Sequence, residues 1–198
     1  MSRLILASAS RSRQTMLRAA GVEFTVQPAD LDEAGLTAAL LSQGKDGAAV
    51  ARALAEEKTL AVSRQNPRDV ILGGDSVLAL GTELIGKSPD LPSLKAELRR
   101  LSGKTHLLIS AACLARDGQR VWYHVARARM TMRVLSEAFL DDYLAHEGET
   151  LLGSVGGYHF EGRGAQLFDS AEGDYFSILG LPLLPVLKEL RAQGWLRT

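Results

Sequence analysis

The sequence predicts an α/β fold, a mixed sheet with helices packed outside it, and three observations carry that prediction. Short continuous apolar runs, Leu4-Ile5-Leu6-Ala7 and Val70-Ile71-Leu72, read as fully buried strands. Between them lies an alanine-rich run from Asp46 to Ser63 whose apolar residues Val50, Ala53, Leu54, Leu60 and Ala61 fall near helical spacing. Two long strands, His106 to Ala115 and Arg120 to Val134, meet at Asp117-Gly118, a strong hairpin signal that adds antiparallel pairing. Strands alternating with helices in this way make an α/β layer architecture.

In chain order, the first strand leads into Ser8-Ala9-Ser10-Arg11-Ser12-Arg13 and then a helix through Met16, Leu17 and Ala20. A strand, a loop of hydroxyls and arginines, and a helix N-terminus make a natural anion site, because free N–H groups, the helix dipole and guanidinium forks converge there. The alternative is that Ser12 only caps the helix and Arg11 and Arg13 are solvated charges. Glu23 to Pro28 reads as a second strand, followed by the acidic turn Asp30-Leu31-Asp32-Glu33. Such a turn can hold a hydrated magnesium ion, although most are simply wet. Leu36 to Leu41 reads as a short helix, and Lys58, on the long helix that follows, as a surface charge.

The chemistry is expected at Val70 to Leu80, where an apolar run ends in Gly73-Gly74, one acid, Asp75, and a second apolar run. A carboxylate at a strand end inside apolar flanks must be hydrated, paired or bound to a cation, since an unpaired buried charge is very costly. Gly81 to Lys87 reads as a hairpin return that brings Lys87 beside Asp75. The bland alternative is a turn acid.

Pro89-Asp90 opens a helix through Leu94, Leu98 and Leu101, and Ser136 caps another whose core face is Ala138, Phe139, Tyr143 and Leu144. The glycine-rich stretch Gly148 to Gly164 matches neither a Walker loop nor the dinucleotide fingerprint. Leu183 to Gln193 forms the last helix.

Composition narrows the function. The chain has 198 residues, enough for one domain of two lobes, with 23 basic against 23 acidic side chains. No overall field favours a polyanion, so a general nucleic-acid binder is disfavoured and phosphate contacts must come from local basic groups. The single cysteine excludes an intramolecular disulfide and a cysteine-rich zinc site, which points to a reducing compartment, and Cys113 itself, in an apolar run, reads as a small buried hydrophobe. No signal-peptide pattern and no run near the ~20 apolar residues of a membrane span is present, so the chain reads as cytoplasmic and free of membrane. The four histidines lack metal-ligand spacing.

Taken together, Leu6-Ala7-Ser8-Ala9-Ser10 with Arg13, Glu33, Lys58, Gly74-Asp75-Ser76, Gly86-Lys87, Leu101 to His106, Gly156-Gly157-Tyr158, Glu161-Gly162 and Gly173-Asp174-Tyr175 through Pro182 run in a fixed order along nearly the whole chain. In that order and spacing the sequence resembles the Maf-type nucleoside triphosphate pyrophosphatases. The resemblance implies a curved mixed sheet, similar to the inosine triphosphatase-like architecture, with two lobes around a central cleft. It also implies hydrolysis of the α-β phosphate bond of a nucleoside triphosphate, with a divalent cation, Mg2+ or Mn2+, as cofactor. By motif match Asp75 is the catalytic acid, described as the proton acceptor, and a metal ligand together with Glu33. Lys58, Lys87, Ser8 and Arg13 match phosphate-side residues.

The departures from the family bear on substrate. Arg11 and Ser12 replace the proline and first arginine of the dTTP/UTP branch, and Ser12 also replaces the tryptophan of the 7-methyl-GTP branch. Ser76 stands where the branches have threonine or glutamine, and Ser88 replaces the proline after Gly86-Lys87. Glu161 and Ser154 follow the 7-methyl-GTP branch. A carboxylate offers only acceptors and suits guanine's N1–H and N2 amine, whereas glutamine matches thymine or uracil. The expectation is a house-cleaning enzyme with a purine or 7-methyl-GTP preference set by Ser12, Ser76 and Glu161. The competing reading is a nucleotide-binding regulator of cell division with little turnover. A homodimer is compatible with the sequence, which carries no signal for it.

Overall fold

The computed structural model describes residues 2–197. Its strands are β1 (Leu4–Leu6), β2 (Thr25–Val26), β3 (Val70–Leu80), β4 (Glu83–Ile85), β5 (Thr105–Arg116), β6 (Gln119–Met132) and β7 (Phe168–Glu172). The helices are α1 (Arg11–Ala19), α2 (Glu33–Ser42), α3 (Gly47–Gln65), α4 (Leu91–Leu101), α5 (Glu137–Glu147), α6 (Tyr175–Ile178) and α7 (Leu183–Ala192). The sheet is open, with order β2-β1-β3-β5-β6-β7 and β4 added to β3. β1 pairs in parallel with β2 and β3, and all other pairs are antiparallel, so the mixed α/β expectation is met. Among the described residues no helix is long and apolar enough to cross a membrane.

Register explains where a cleft can form. β5 covers one edge of β3 from Val70 to Ala79. On the other edge β1 takes Val70–Leu72 and β4 takes Leu78–Leu80. The backbone edge from Gly73 to Val77 therefore stays open between two strands, a gap of about 20 Å from Leu72 to Leu78 at the usual rise per residue.

The faces of β3 repeat the division, because alternate residues point to opposite sides. On one face Val70 and Leu72 join a core with Leu4, Leu6, Leu17, Leu114 and Val186. On the same face Leu78 joins a second core with Leu94, Leu98, Leu108, Met130 and Tyr143. Each such fully buried leucine contributes about 2 kcal/mol. Gly74 and Ser76 lie between these two cores. The opposite face packs on α3 through Val77, Ala79, Val50 and Leu54.

Several local expectations need correction. Asp75 sits inside a continuous strand, because β5 pairs through both glycines and carries β3 on to Leu80. The second strand is only Thr25–Val26, since β1 offers just Ile5 and Leu6 as partners. On α3 the buried stripe is Val50, Ala51, Leu54, Ala55, Thr59 and Val62, while Ala53, Leu60 and Ala61 flank it. On α5 Ala138 is exposed, Phe139 half-buried, and Leu140 takes the core position. Ser10, not Ser12, caps α1, its Oγ accepting from the Arg13 N–H at 3.4 Å. The hairpin is as expected: Asp117 and Gly118 take φ of 52° and 69°, the left-handed pair of a tight two-residue turn.

Candidate active site

Gly73 sets the distance between β3 and α3. A Cβ there would overlap the Thr59 side chain and come within 3.0 Å of the Ala55 carbonyl, so only glycine lets the helix lie this close. Lys58, beside Thr59 on the same helix, consequently reaches Asp75, which points to the same face of β3. Its Nζ lies 2.6 Å from Asp75 Oδ1 and 2.8 Å from Glu33 Oε2. Glu33 enters from the first turn of α2, which Asp32 caps through the Gly35 N–H at 2.9 Å. The Lys58 side chain is only 12% exposed and the Asp75 side chain 9%, so this lysine is no surface charge. Glu33 is half exposed.

Arg13 occupies the other face. Burial pulls its pKa below the ordinary guanidinium value, while Asp75 and Glu33 oppose that shift. It stays charged across the physiological range. Its Nε donates to the Gly180 carbonyl at 2.8 Å, one Nη to Ser8 Oγ at 3.0 Å and the other to Ser76 Oγ at 3.2 Å. Ser8 is buried and its Oγ also accepts from the Ser10 N–H at 3.3 Å, so its own proton is left to donate outward.

The structure thus gathers Ser8, Arg13, Glu33, Lys58, Asp75 and Ser76 around the open β3 edge. It does not bring Lys87 to Asp75. Pairing of β4 ends at Ile85, and Lys87 lies exposed beyond it with no acidic partner among the described residues. The partner that Asp75 requires is Lys58. Ser12 is half-buried on α1, and Glu161 is exposed with no hydrogen bond to the described residues. Ser76 is tied to Arg13 and not free.

Sequence reasoning missed Ser110, whose Oγ lies 2.8 Å from Ser76 Oγ, and the carbonyls of Ser177 and Gly180. The signal for Ser110 was a lone hydroxyl in the apolar run of β5; backbone carbonyls leave no signal. The centre on which the carboxylates of Glu33 and Asp75 converge is the Lys58 ammonium. Carboxylate oxygens are the donor type that a magnesium-like or manganese-like ion takes, but among the described residues no group of three or more His, Cys, Asp or Glu side chains gathers to hold one.

A family model described as "Maf-like protein" matches residues 3–193. A 7-methyl-GTP pyrophosphatase of Brucella abortus is 47% identical over 191 residues, covering 96% of each chain. One from Mesorhizobium japonicum is 48% identical over 192 residues, covering 97% of this chain and 96% of the relative. A nucleoside triphosphate pyrophosphatase of Granulibacter bethesdensis is 46% identical over 189 residues, covering 96% of each.

Proposed function

This chain belongs to the Maf-like protein family, and we propose on that premise that it hydrolyses nucleoside triphosphates between the α and β phosphates. Water oxygen bonds to the α-phosphorus, the bond to the bridging oxygen of the β-phosphate breaks, and monophosphate and pyrophosphate leave. The observation that carries the reading is the constellation at the β3 edge, with Asp75, Lys58 and Glu33 on one face and Arg13 and Ser8 on the other.

Each residue has a role that its geometry supports. Asp75 spends Oδ1 on Lys58 and has no hydrogen bond at Oδ2 among the described residues, so Oδ2 is placed to orient a water and take its proton. Lys58 supplies a point charge and Arg13 a fork for phosphate oxygens. Ser8 donates its free hydroxyl proton. Lys87, exposed on the loop after β4, would add a second point charge for the phosphates. Glu33 and Asp75 would hold a divalent cation, which would offset the charge that builds on the departing pyrophosphate.

For the base we propose 7-methyl-GTP, the nucleotide in the names of the Brucella and Mesorhizobium relatives, or another purine nucleotide. The free, acceptor-only carboxylate of Glu161 supports this choice. Ser76 contributes by way of Arg13, and Ser12, half-buried on α1, is a small hydroxyl with no aromatic face to stack on a base. Such an enzyme would clear modified nucleotides from a cytoplasmic pool. The test is pyrophosphate release by purified protein with Mg2+ or Mn2+, across the common triphosphates and 7-methyl-GTP. No release from any of them overturns the activity, and dTTP or UTP far ahead of guanine nucleotides overturns the preference.

A further inference from the structure

Ser110 is 1% exposed and faces Ser76 in direct register across β3 and β5. Its Oγ lies 2.7 Å from the Ser177 carbonyl and 2.8 Å from Ser76 Oγ. A serine hydroxyl has one proton, and a carbonyl can only accept. The Ser110 proton therefore goes to Ser177, and the contact between the two serines must be donated by Ser76. With its proton committed, Ser76 presents a lone pair to the Arg13 Nη at 3.2 Å. The relay runs one way, from guanidinium to Ser76, to Ser110, to the Ser177 carbonyl.

This polarity fixes the arginine. Of its five N–H donors, one goes to Gly180, one to Ser8 and one to Ser76, which leaves two for a ligand. Both ends of the arrangement rest on the segment around α6: Gly180 directly, and Ser177 through Ser110. Asp174 in turn holds Ser177 by its N–H at 2.8 Å and its hydroxyl at 2.7 Å. Were Ser110 to lose its hydroxyl, the Ser76 hydroxyl would lose its acceptor and rotate freely, so its oxygen would no longer be held in place for the Arg13 Nη. The Ser177 carbonyl would keep the Gly180 N–H at 3.1 Å, so the fold itself loses little.

We propose that Ser110 is a positioning residue for Arg13, which it orients for the triphosphate without touching the substrate itself. The proposal rests on the cleft being a triphosphate site.

The experiment measures calorimetric affinity for an α,β-methylene nucleoside triphosphate, which cannot be cut between the α and β phosphates, beside KM, kcat and thermal midpoint on the cleavable nucleotide. Ser110→Ala should bind about tenfold more weakly and raise KM equally, with kcat within about threefold. Ser110→Thr, which keeps the hydroxyl, should restore both. The double variant with Ser76→Ala should be no weaker than Ser76→Ala alone, since one relay is broken twice. Wild-type affinity in Ser110→Ala, additive losses in the double variant, or a fall confined to kcat would overturn the assignment. Should Ser110→Ala not fold, Ser110→Cys fills the site with a poorer hydrogen-bonding group and carries the same expectation and the same refutation. Wild-type protein that binds the analogue but releases no pyrophosphate refutes the enzyme reading, and Ser110 is then judged on affinity alone. Wild-type protein that binds no analogue overturns both.

Discussion

Lys58 Nζ stands 2.6 Å from Asp75 Oδ1 while holding Glu33 Oε2 at 2.8 Å, so one ammonium joins the two acids assigned to water and cation. Asp75→Asn keeps the shape and removes the proton acceptor. Pyrophosphate release at saturating divalent cation should fall by about 10²- to 10⁴-fold, a loss that raising the cation concentration does not recover. A variant that keeps a tenth or so of the activity would move the base elsewhere.

The same ammonium neutralises one of the two carboxylates. Lys58→Met leaves both unopposed, and Mn2+ binding without nucleotide should tighten by roughly ten- to thirtyfold, the Coulomb effect of one charge on a divalent ion about 4 Å away in a watery site. Electron paramagnetic resonance of free Mn2+ reads this directly. Unchanged affinity would mean that the cation does not sit between Glu33 and Asp75.

These two tests probe residues that differed in how far the sequence revealed them. Asp75 was legible because a lone acid inside apolar flanks requires a partner, and Arg13 because strand, hydroxyl loop and helix start form an anion site. Lys58 as the partner was not legible. Its identity depends on how closely α3 lies against β3, which Gly73 decides and no local pattern records. The open edge from Gly73 to Val77 follows from strand registers, set by long-range pairing. Helix boundaries read well where an Asp or Ser cap stood before the periodic run, as at Asp46, Asp90 and Ser136. The short β7 and α6 lacked any periodicity long enough to see.

Glu161 tests the base preference. Glu161→Gln exchanges two acceptors for one acceptor and one donor, matching uracil or thymine better than guanine. The ratio of kcat/KM for guanine over uracil nucleotides should fall by about tenfold or more. A ratio that does not move would place base recognition elsewhere.

Gly73 tests the packing that brings α3 to β3. Gly73→Ala forces a methyl group into Thr59 and against the Ala55 carbonyl, and should cost roughly 1–3 kcal/mol in urea unfolding. Thr59→Ala in the same chain removes the worse clash, so the pair should be less unstable than the sum of the single changes. Strict additivity would show that the helix simply slides away.

His106 predicts a pH dependence with a definite sign. Its ring is 1% exposed, it shares a 3.0 Å hydrogen bond with the Tyr158 hydroxyl, and burial pushes its pKa down from 6.5 to about 4. Its Nδ1 has no partner among the described residues, so nothing there stabilises the charged ring. Above pH 6.5 the ring is neutral in both folded and unfolded chains and contributes no slope. Between pH 6.5 and about 4 the unfolded chain binds the proton first, so stability falls as pH falls, and below about 4 the loss levels off. Between pH 7.5 and pH 5 the shift amounts to about 2 kcal/mol. His106→Gln cannot titrate and can still meet the Tyr158 hydroxyl. Urea unfolding at both pH values should therefore show the wild type losing about 2 kcal/mol more than the variant. Parallel losses would mean that the imidazole meets its proton equally well in the folded core.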